Sequence, residues 1–526
     1  MSAAAERGPS WSRSERGCLL ALVALSVALY LPNLNDYFLG DDFDLIRSFY
    51  GKPLRYFVEL LWSNESGDVW KSWGIDPALG RGYLRPLKIW LLALDFAIWG
   101  TNPLGFHLVS SAFFAAIVLQ VFAILRRALP GRPLLAAAGA GAVAMHPVFA
   151  EVVPFITARE ELAATAFGLG SFLAFLRARQ DGGSLAPFGV LYALALLTKE
   201  SSIVFLALPL GWDLVNGRLL PVSRSTLRRL ARTWLPVLAI LVGYFALRVA
   251  AFGNPKGGDG QPTHYLSPAA FLAFHARFFR SLADPTLCSL AGLPGAAWLA
   301  PSAALLVGFL SFRRRDRISA SRARDLLFYG PVWYLVSTAI LFGTYFSVRH
   351  NLLPVVGLAL FVTLLAGALF GGATPGRERA CAAAVFAVAA VLFLPPSLVT
   401  SREYRTASAA VARMRAEIEA RTADLPPSSA VSLSGVPQWV LPPFFFGWGL
   451  LSALREPFTA SDLAGRSTVV DARNLELTRA RVRRPERFDR VVSFAPREWV
   501  PPALEERQLQ RLWREGLVPR GVRELR

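Results

Sequence analysis

The chain has 526 residues, 54% of them apolar, with a positive mean hydropathy, which excludes an ordinary soluble enzyme of this size and points to a lipid bilayer. Its formal charge of +19 comes from Arg-rich clusters between apolar runs, the pattern of cytoplasmic membrane-protein loops rather than of a nucleic-acid surface, so no nucleic-acid partner is expected. Cys18, Cys288 and Cys381 are scattered in or beside apolar segments, so neither a disulfide framework nor a zinc site is expected.

A membrane-spanning helix needs about 20 mostly apolar residues. Candidate spans lie near 17–34, 104–125, 134–150, 160–177, 185–198, 200–216, 233–252, 293–312, 325–346, 351–371 and 380–398, about eleven in all. The first has no small-residue cleavage site behind it and reads as a retained helix after a cytoplasmic N-terminus, residues 1–16. The apolar stretch Lys88–Trp99 is short and carries Lys88 and Asp95, so it is expected to lie along the outer surface. With that choice Arg126-Arg127, Arg177 with Arg179, Arg218–Arg232, Arg313–Arg324 and Arg377 with Arg379 all fall inside. The transmembrane domain then covers 17–400, its first outer loop 35–105, and the tail 401–526 is extracytoplasmic. The preference for Arg over Lys and the abundance of Ala suggest a bacterial plasma (inner) membrane.

The unusual polar residues converge on the outer side, and charge beside hydrocarbon is costly unless paired or used. In "FLGDDFDLI", Asp41, Asp42 and Asp44 admit three readings. One of them caps a helix, or the adjacent carboxylates raise each other's pKa and supply a base for a hydroxyl nucleophile, or Asp42 and Asp44 share a divalent cation. Arg85 in "GYLRPLKIW" either snorkels or grips a phosphate, and His107 opens a span. "AMHPVFAEVVPFITAREEL" gathers His146, Glu151, Arg159, Glu160 and Glu161, with a Glu151–Arg159 ion pair as one structural outcome. Lys199-Glu200 and Arg349-His350 occupy two further outer turns.

In order and spacing, "LGDDFDLI", "RPLKIWLLALDFAIWGTNPLGFH", "HPVFAEVVPFITAREELAA" and "LLTKES", with a weaker continuation to "SVRHNLLP", resemble the transmembrane and tetratricopeptide-repeat O-mannosyltransferase family of GT-C glycosyltransferases. The resemblance implies an all-α polytopic GT-C membrane enzyme that moves a sugar from a polyprenyl-phosphate carrier to an acceptor hydroxyl, of protein or glycan, outside the cytoplasm. The family's paired acidic motif falls on Asp41 and Asp42, one of them the base, and basic residues near the lipid phosphate correspond to Arg85, Arg159, Lys199 or Arg349. Phe149 stands where the family has a second histidine, and Thr157-Ala158-Arg159-Glu160-Glu161 replaces its Gly-Arg-x-Asp motif. The tail shows no period near 34 residues.

From Ser401 the tail reads instead as a helix near Ser401–Arg421, strand-like runs at "AVSLSGV", "STVVDA" and "RVVSFA", and a helical "FGWGLLSALRE", together a small α/β domain. Inverting glycosyl transfer is the expected chemistry, with the lipid phosphate as leaving group and no nucleotide required. The rival reading is a transporter or flippase for a lipid-linked sugar, which calls for symmetric repeats and charges at mid-membrane depth.

Overall fold

The computed structural model describes residues 11–63, 83–218, 224–253, 275, 318–339, 348–370, 374–436, 445–446, 449–471 and 487–494. The candidate span 293–312, Cys288 and part of the first loop and of the tail lie outside these residues. The principal helices are α1 (Arg13–Tyr30), α2 (Asp41–Phe49), α3 (Pro86–Trp99), α4 (Pro103–Ala128), α5 (Pro133–Met145), α6 (Arg159–Asp181), α7 (Ala186–Thr198), α8 (Val204–Val215), α9 (Arg224–Phe252), α10 (Leu352–Leu369) and α11 (Pro375–Thr422).

Local chemistry sets many of their ends. Ser12 and Glu15 form a capping box on α1, and Asn102 caps α4 with Pro103 in its first turn. Six helical stretches among the described residues are long and apolar enough to cross a membrane: 13–33, 103–128, 156–181, 230–252, 348–369 and 375–422. The chain is a multi-pass membrane protein. Packing between helices uses small residues, as membrane bundles do: a Cβ on Gly168 would come within 2.1 Å of the Phe205 ring.

The helices run between two chemically different ends. At one, Arg126 pairs with Glu15 at 3.0 Å, Arg127 with Asp181 at 2.5 Å and Arg179 with Asp213 at 2.7 Å, while Arg132 donates to the Gly367 carbonyl and Arg322 to that of Ala128. The other end gathers the start of α2 and Arg85, Glu160, Lys199 and His350. Helices α5, α7 and α8, only 12 or 13 residues each, connect these same ends although each is about 20 Å long or less. A short helix Pro147–Ala150 extends α5 and a 3₁₀ turn Glu200–Ile203 precedes α8, so the expected spans 134–150 and 200–216 are broken rather than continuous.

Helix α3 stays at the acidic end. Arg85 and Lys88 at its start meet Glu160, and Asp95 in its third turn meets Arg159. Its amphipathicity is inverted relative to a helix lying on an aqueous surface. Lys88 (8% exposed) and Asp95 (4%) face the protein, while Leu94 (58%) and Ile98 (62%) face outward.

Residues 380–398 and 401–421 were expected as two helices, and they form one. Helix α11 runs 48 residues through Pro395 and Pro396, about 72 Å. Ser397 donates to the Met145 carbonyl (2.6 Å), Ser401 to Asn33 Oδ1 (2.5 Å) and Tyr404 to the Glu151 carbonyl (3.2 Å). These bonds hold α11 against the acidic end as it leaves the bundle. Beyond it, β1 (Ala430–Ser434) lies between β2 (Thr468–Asp471) and β3 (Arg490–Ser493), all parallel, with Val431 opposite Val469 and Arg490.

Candidate functional site

The first turn of α2 follows Gly40, whose φ of 48° lies in the left-handed region that favours glycine. Asp42 is fully committed to holding this turn. Its Oδ1 accepts from the Thr157 amide (2.7 Å) and hydroxyl (2.5 Å), and its Oδ2 from the Leu39 amide (2.9 Å). Burial pushes its carboxyl up to about 7, against those donors, and the charge of Asp41 adds to the rise. Asp44 accepts from the Ser452 hydroxyl at 2.5 Å.

Asp41 is different. It is half-buried, and among the described residues no hydrogen-bond donor reaches its carboxylate. Burial raises its pKa, Arg349 and Lys88 pull it down, and Glu160 raises it further. A carboxylate with vacant lone pairs, an elevated pKa and cations nearby has the properties of a general base.

Beside it lies a buried ionic cluster. Glu160 is gripped by Arg85 (2.7 Å), Lys88 (2.8 Å) and Lys199 (3.3 Å). Arg85 also holds Glu200 through Nε (2.8 Å) and Nη2, and its guanidinium stacks 3.9 Å from the Tyr83 ring centre. Lys199 donates to Glu161, which His350 Nε2 approaches to 3.8 Å. Burial would raise the Glu200 carboxyl, but Arg85 outweighs it and holds the group at about 2. For Lys199, burial works against the ammonium while Glu161 and Glu160 lift its pKa above the usual value. Arg85, Lys88 and Lys199 balance Glu160, Glu161 and Glu200 in formal charge. Arg349, whose guanidinium lies 5.5 Å from the Phe155 ring centre, supplies further positive charge towards Asp41.

The remaining residues singled out in the sequence bond to other parts of the fold. Arg159 does not pair with Glu151. It is buried against Asp95, Ser110 (3.1 Å) and the Phe106 carbonyl (2.5 Å), a structural anchor between α6, α3 and α4. His146 accepts from the Val148 amide (3.2 Å) and packs 4.8 Å from Phe393, so it caps the short helix after α5. His107 bonds the Asp36 carbonyl at 2.9 Å and ties the first loop to α4. Glu151 is buried, and its carbonyl receives Tyr404. A small pocket lies among Lys88, Leu92, Thr157, Arg159, Glu160 and Thr198.

Both Asp42 oxygens are occupied by donors, Ser452 is bound to Asp44, and among the described residues no three His, Cys, Asp or Glu side chains gather as metal ligands. We expect Asp42→Ala to cost about 1–3 kcal/mol, because it strands buried donors on Thr157 and Leu39. Thermal melting in detergent checks this, and an unchanged Tm would contradict it.

Sequence reasoning missed three partners. Lys88 seemed a blemish in an apolar run, Asp95 looked like a second one, and Thr157 was noticed only as a departure from a motif. The i, i+7 spacing of Lys88 and Asp95 places both on one helix face, the one signal that could have revealed an inward polar stripe.

No family model matches the chain. It is similar to curated protein O-mannosyl-transferases, as the motifs suggested. With Tmtc1 of Drosophila melanogaster it shares 31% identity over 203 residues, 38% of this chain and 23% of that protein. With the Caenorhabditis elegans protein O-mannosyl-transferase F38B6.6 it shares 25% identity over 287 residues, 53% of this chain and 38% of the other. With human TMTC1 the figures are 26% over 230 residues, 40% and 25%. The similarity thus spans about a quarter to two-fifths of these relatives' length. Among solved structures, ArnT from Cupriavidus metallidurans bound to undecaprenyl phosphate aligns over 88% of this chain and 91% of its own, at 15% identity and a TM-score of 0.38.

Proposed function

We propose that this protein is a GT-C-type membrane glycosyltransferase that moves a sugar from a polyprenyl-phosphate carrier to an acceptor hydroxyl, of protein or glycan, on the extracytoplasmic face of the bacterial inner membrane. The observation that carries this reading is Asp41: a carboxylate without a hydrogen-bond donor among the described residues, held beside Arg349, Lys88 and Glu160. The similarity to protein O-mannosyl-transferases supports it.

In the proposed step the acceptor oxygen attacks the anomeric carbon as its proton passes to Asp41. The bond from that carbon to the phosphate oxygen breaks, the electron pair leaves with the polyprenyl phosphate, and the anomeric configuration inverts. Negative charge grows on the departing phosphate, and Arg349 with the Arg85, Lys88 and Lys199 cluster answers it. Glu160 and Glu200 keep those cations fixed and charged. Asp42, His107, His146, Glu151 and Arg159 position the loops. The placing of Asp41 beside Arg349, Lys88 and the Glu160 cluster favours transfer over lipid passage.

The acid limb of turnover tests the assignment. A base must be deprotonated to work, so activity rises with pH through its pKa, which burial has raised above the ordinary carboxylate range. Arg349→Gln removes a cation that lowers this pKa, so the limb moves to higher pH, and turnover at its plateau falls roughly 10²-fold. Polyprenyl phosphate appearing in proteoliposomes is the readout. A limb that stays in place in Arg349→Gln would count against the assignment.

A further inference from the structure

We infer that the C-terminal segment beyond α11 is a positioning element for Asp41, acting through Ser452, Gly449 and Phe445; this rests on the proposed role of Asp41 as base. The carboxylate projects from the first turn of α2, a nine-residue helix whose N-cap, Gly40, offers no side chain. Such a turn needs external fixing if its first residue, Asp41, is to hold a reacting proton within hydrogen-bond reach.

The membrane part of the chain supplies one half of that fixing, through Thr157 and Asp42. The C-terminal segment supplies the other. The Gly40 amide donates to the Phe445 carbonyl at 2.7 Å. Ser452 donates to Asp44 at 2.5 Å, one helical turn beyond Gly40, and both side chains are buried. The backbone at Gly449 lies so close that a Cβ there would stand 2.1 Å from the Gly40 carbonyl oxygen. Phe43, fully buried, stacks on Phe446 with ring centres 6.2 Å apart and meets Phe458 edge-on at 4.8 Å, while Phe38 meets Phe458 at 5.4 Å. Residues 40, 43 and 44 are therefore held by the C-terminal segment and residue 42 by Thr157, just before α6. Asp41, between them, is left to face the ionic cluster.

The contacts made by Phe445, Phe446, Gly449, Ser452 and Phe458 fall on residues 38–44, whereas Glu160 is held by Arg85, Lys88 and Lys199. The segment should thus govern the chemical step and leave the grip on the donor phosphate intact. A displacement of about 1 Å in a reacting group costs up to about 10²-fold in rate. For this chain that predicts a loss in kcat without a matching change in KM.

The full-length protein in proteoliposomes, given a polyprenyl-phosphate sugar it uses, provides the test. Ser452→Ala and Gly449→Ala are compared with Ser452→Thr, wild type and Asp41→Asn. The expected result is a roughly 10- to 100-fold fall in kcat for the first two, with donor KM held within about twofold, the hydroxyl-retaining Ser452→Thr recovering most of the loss. Amide hydrogen exchange should quicken locally, across residues 39–44, in the same two variants. Wild-type kcat and exchange in both would overturn the inference. So would a kcat loss matched by a general drop in Tm and exchange throughout the chain, which is the outcome of a merely structural role. A wild type that cleaves donor while the two variants behave normally sinks this inference alone. A wild type that cleaves no donor from a broad panel removes the proposed function and the inference with it.

Discussion

Asp41→Asn is expected to lower turnover by about 10³-fold while leaving donor binding nearly unchanged. General-base catalysis contributes roughly 10²–10⁴-fold, and the amide keeps the size of the side chain while removing its ability to take a proton. The neighbouring Asp42→Asn should cost far less, about tenfold, through disturbed geometry. Its Oδ1 can still accept from both Thr157 donors, and only the Leu39 amide is left facing an NH₂ group. The contrast between adjacent carboxylates is the informative part. Equal losses in both variants would mean that the pair shares the proton, and a larger loss in Asp42→Asn would assign the base to the residue that accepts three hydrogen bonds.

The second large effect concerns stability. Asp95→Ala leaves the buried Arg159 guanidinium without its carboxylate, and breaking a buried pair in this way costs about 3–5 kcal/mol. The double change Asp95→Leu with Arg159→Met should recover much of that loss, since apolar replacements of a buried pair are often neutral. Thermal melting in detergent separates the cases. A single variant as stable as wild type would show that Arg159 finds enough compensation in Ser110 and the Phe106 carbonyl. The same experiment bears on Arg159 as a candidate phosphate ligand. If the double variant folds and still uses donor, Arg159 serves the scaffold.

How much of this was legible in the residues depends on the range of the interaction. The convergence of Asp41, Arg85, Glu160, Lys199 and Arg349 followed from where apolar runs stop, because each run fixes which end its flanking charges occupy. Their pairing did not follow. Arg85 finds Glu160 75 positions away and Glu200 115 positions away, and no local periodicity encodes which carboxylate a guanidinium meets. For the same reason Glu151 was offered to Arg159 as a neighbour in sequence when Asp95, 64 positions earlier, is its partner.

Local signals also misled where tertiary packing overrode them. The runs 380–398 and Ser401–Arg421 read as separate helices, yet α11 continues through both and through Pro395 and Pro396, and Ser397 and Ser401 donate their hydroxyls to the Met145 carbonyl and Asn33. Lys88 and Asp95 lowered the apolar score of α3, and that very polarity faces inward to meet Glu160 and Arg159. In a bilayer the polar face of a short helix seeks protein rather than solvent. The strand-like runs of the tail were easier, since alternation and flanking turn residues act over a few positions, and they do align as a three-stranded parallel sheet.

The central claim is a single displacement at the anomeric carbon by a hydroxyl that Asp41 deprotonates. The anomeric configuration of the sugar in the transferred product, read by NMR against that of the polyprenyl-phosphate donor, tests it most directly. Inversion in the wild type, with product formation slowed about 10³-fold in Asp41→Asn, is the predicted result. Retention would require a covalent sugar intermediate or a second displacement, and would contradict the role given to Asp41.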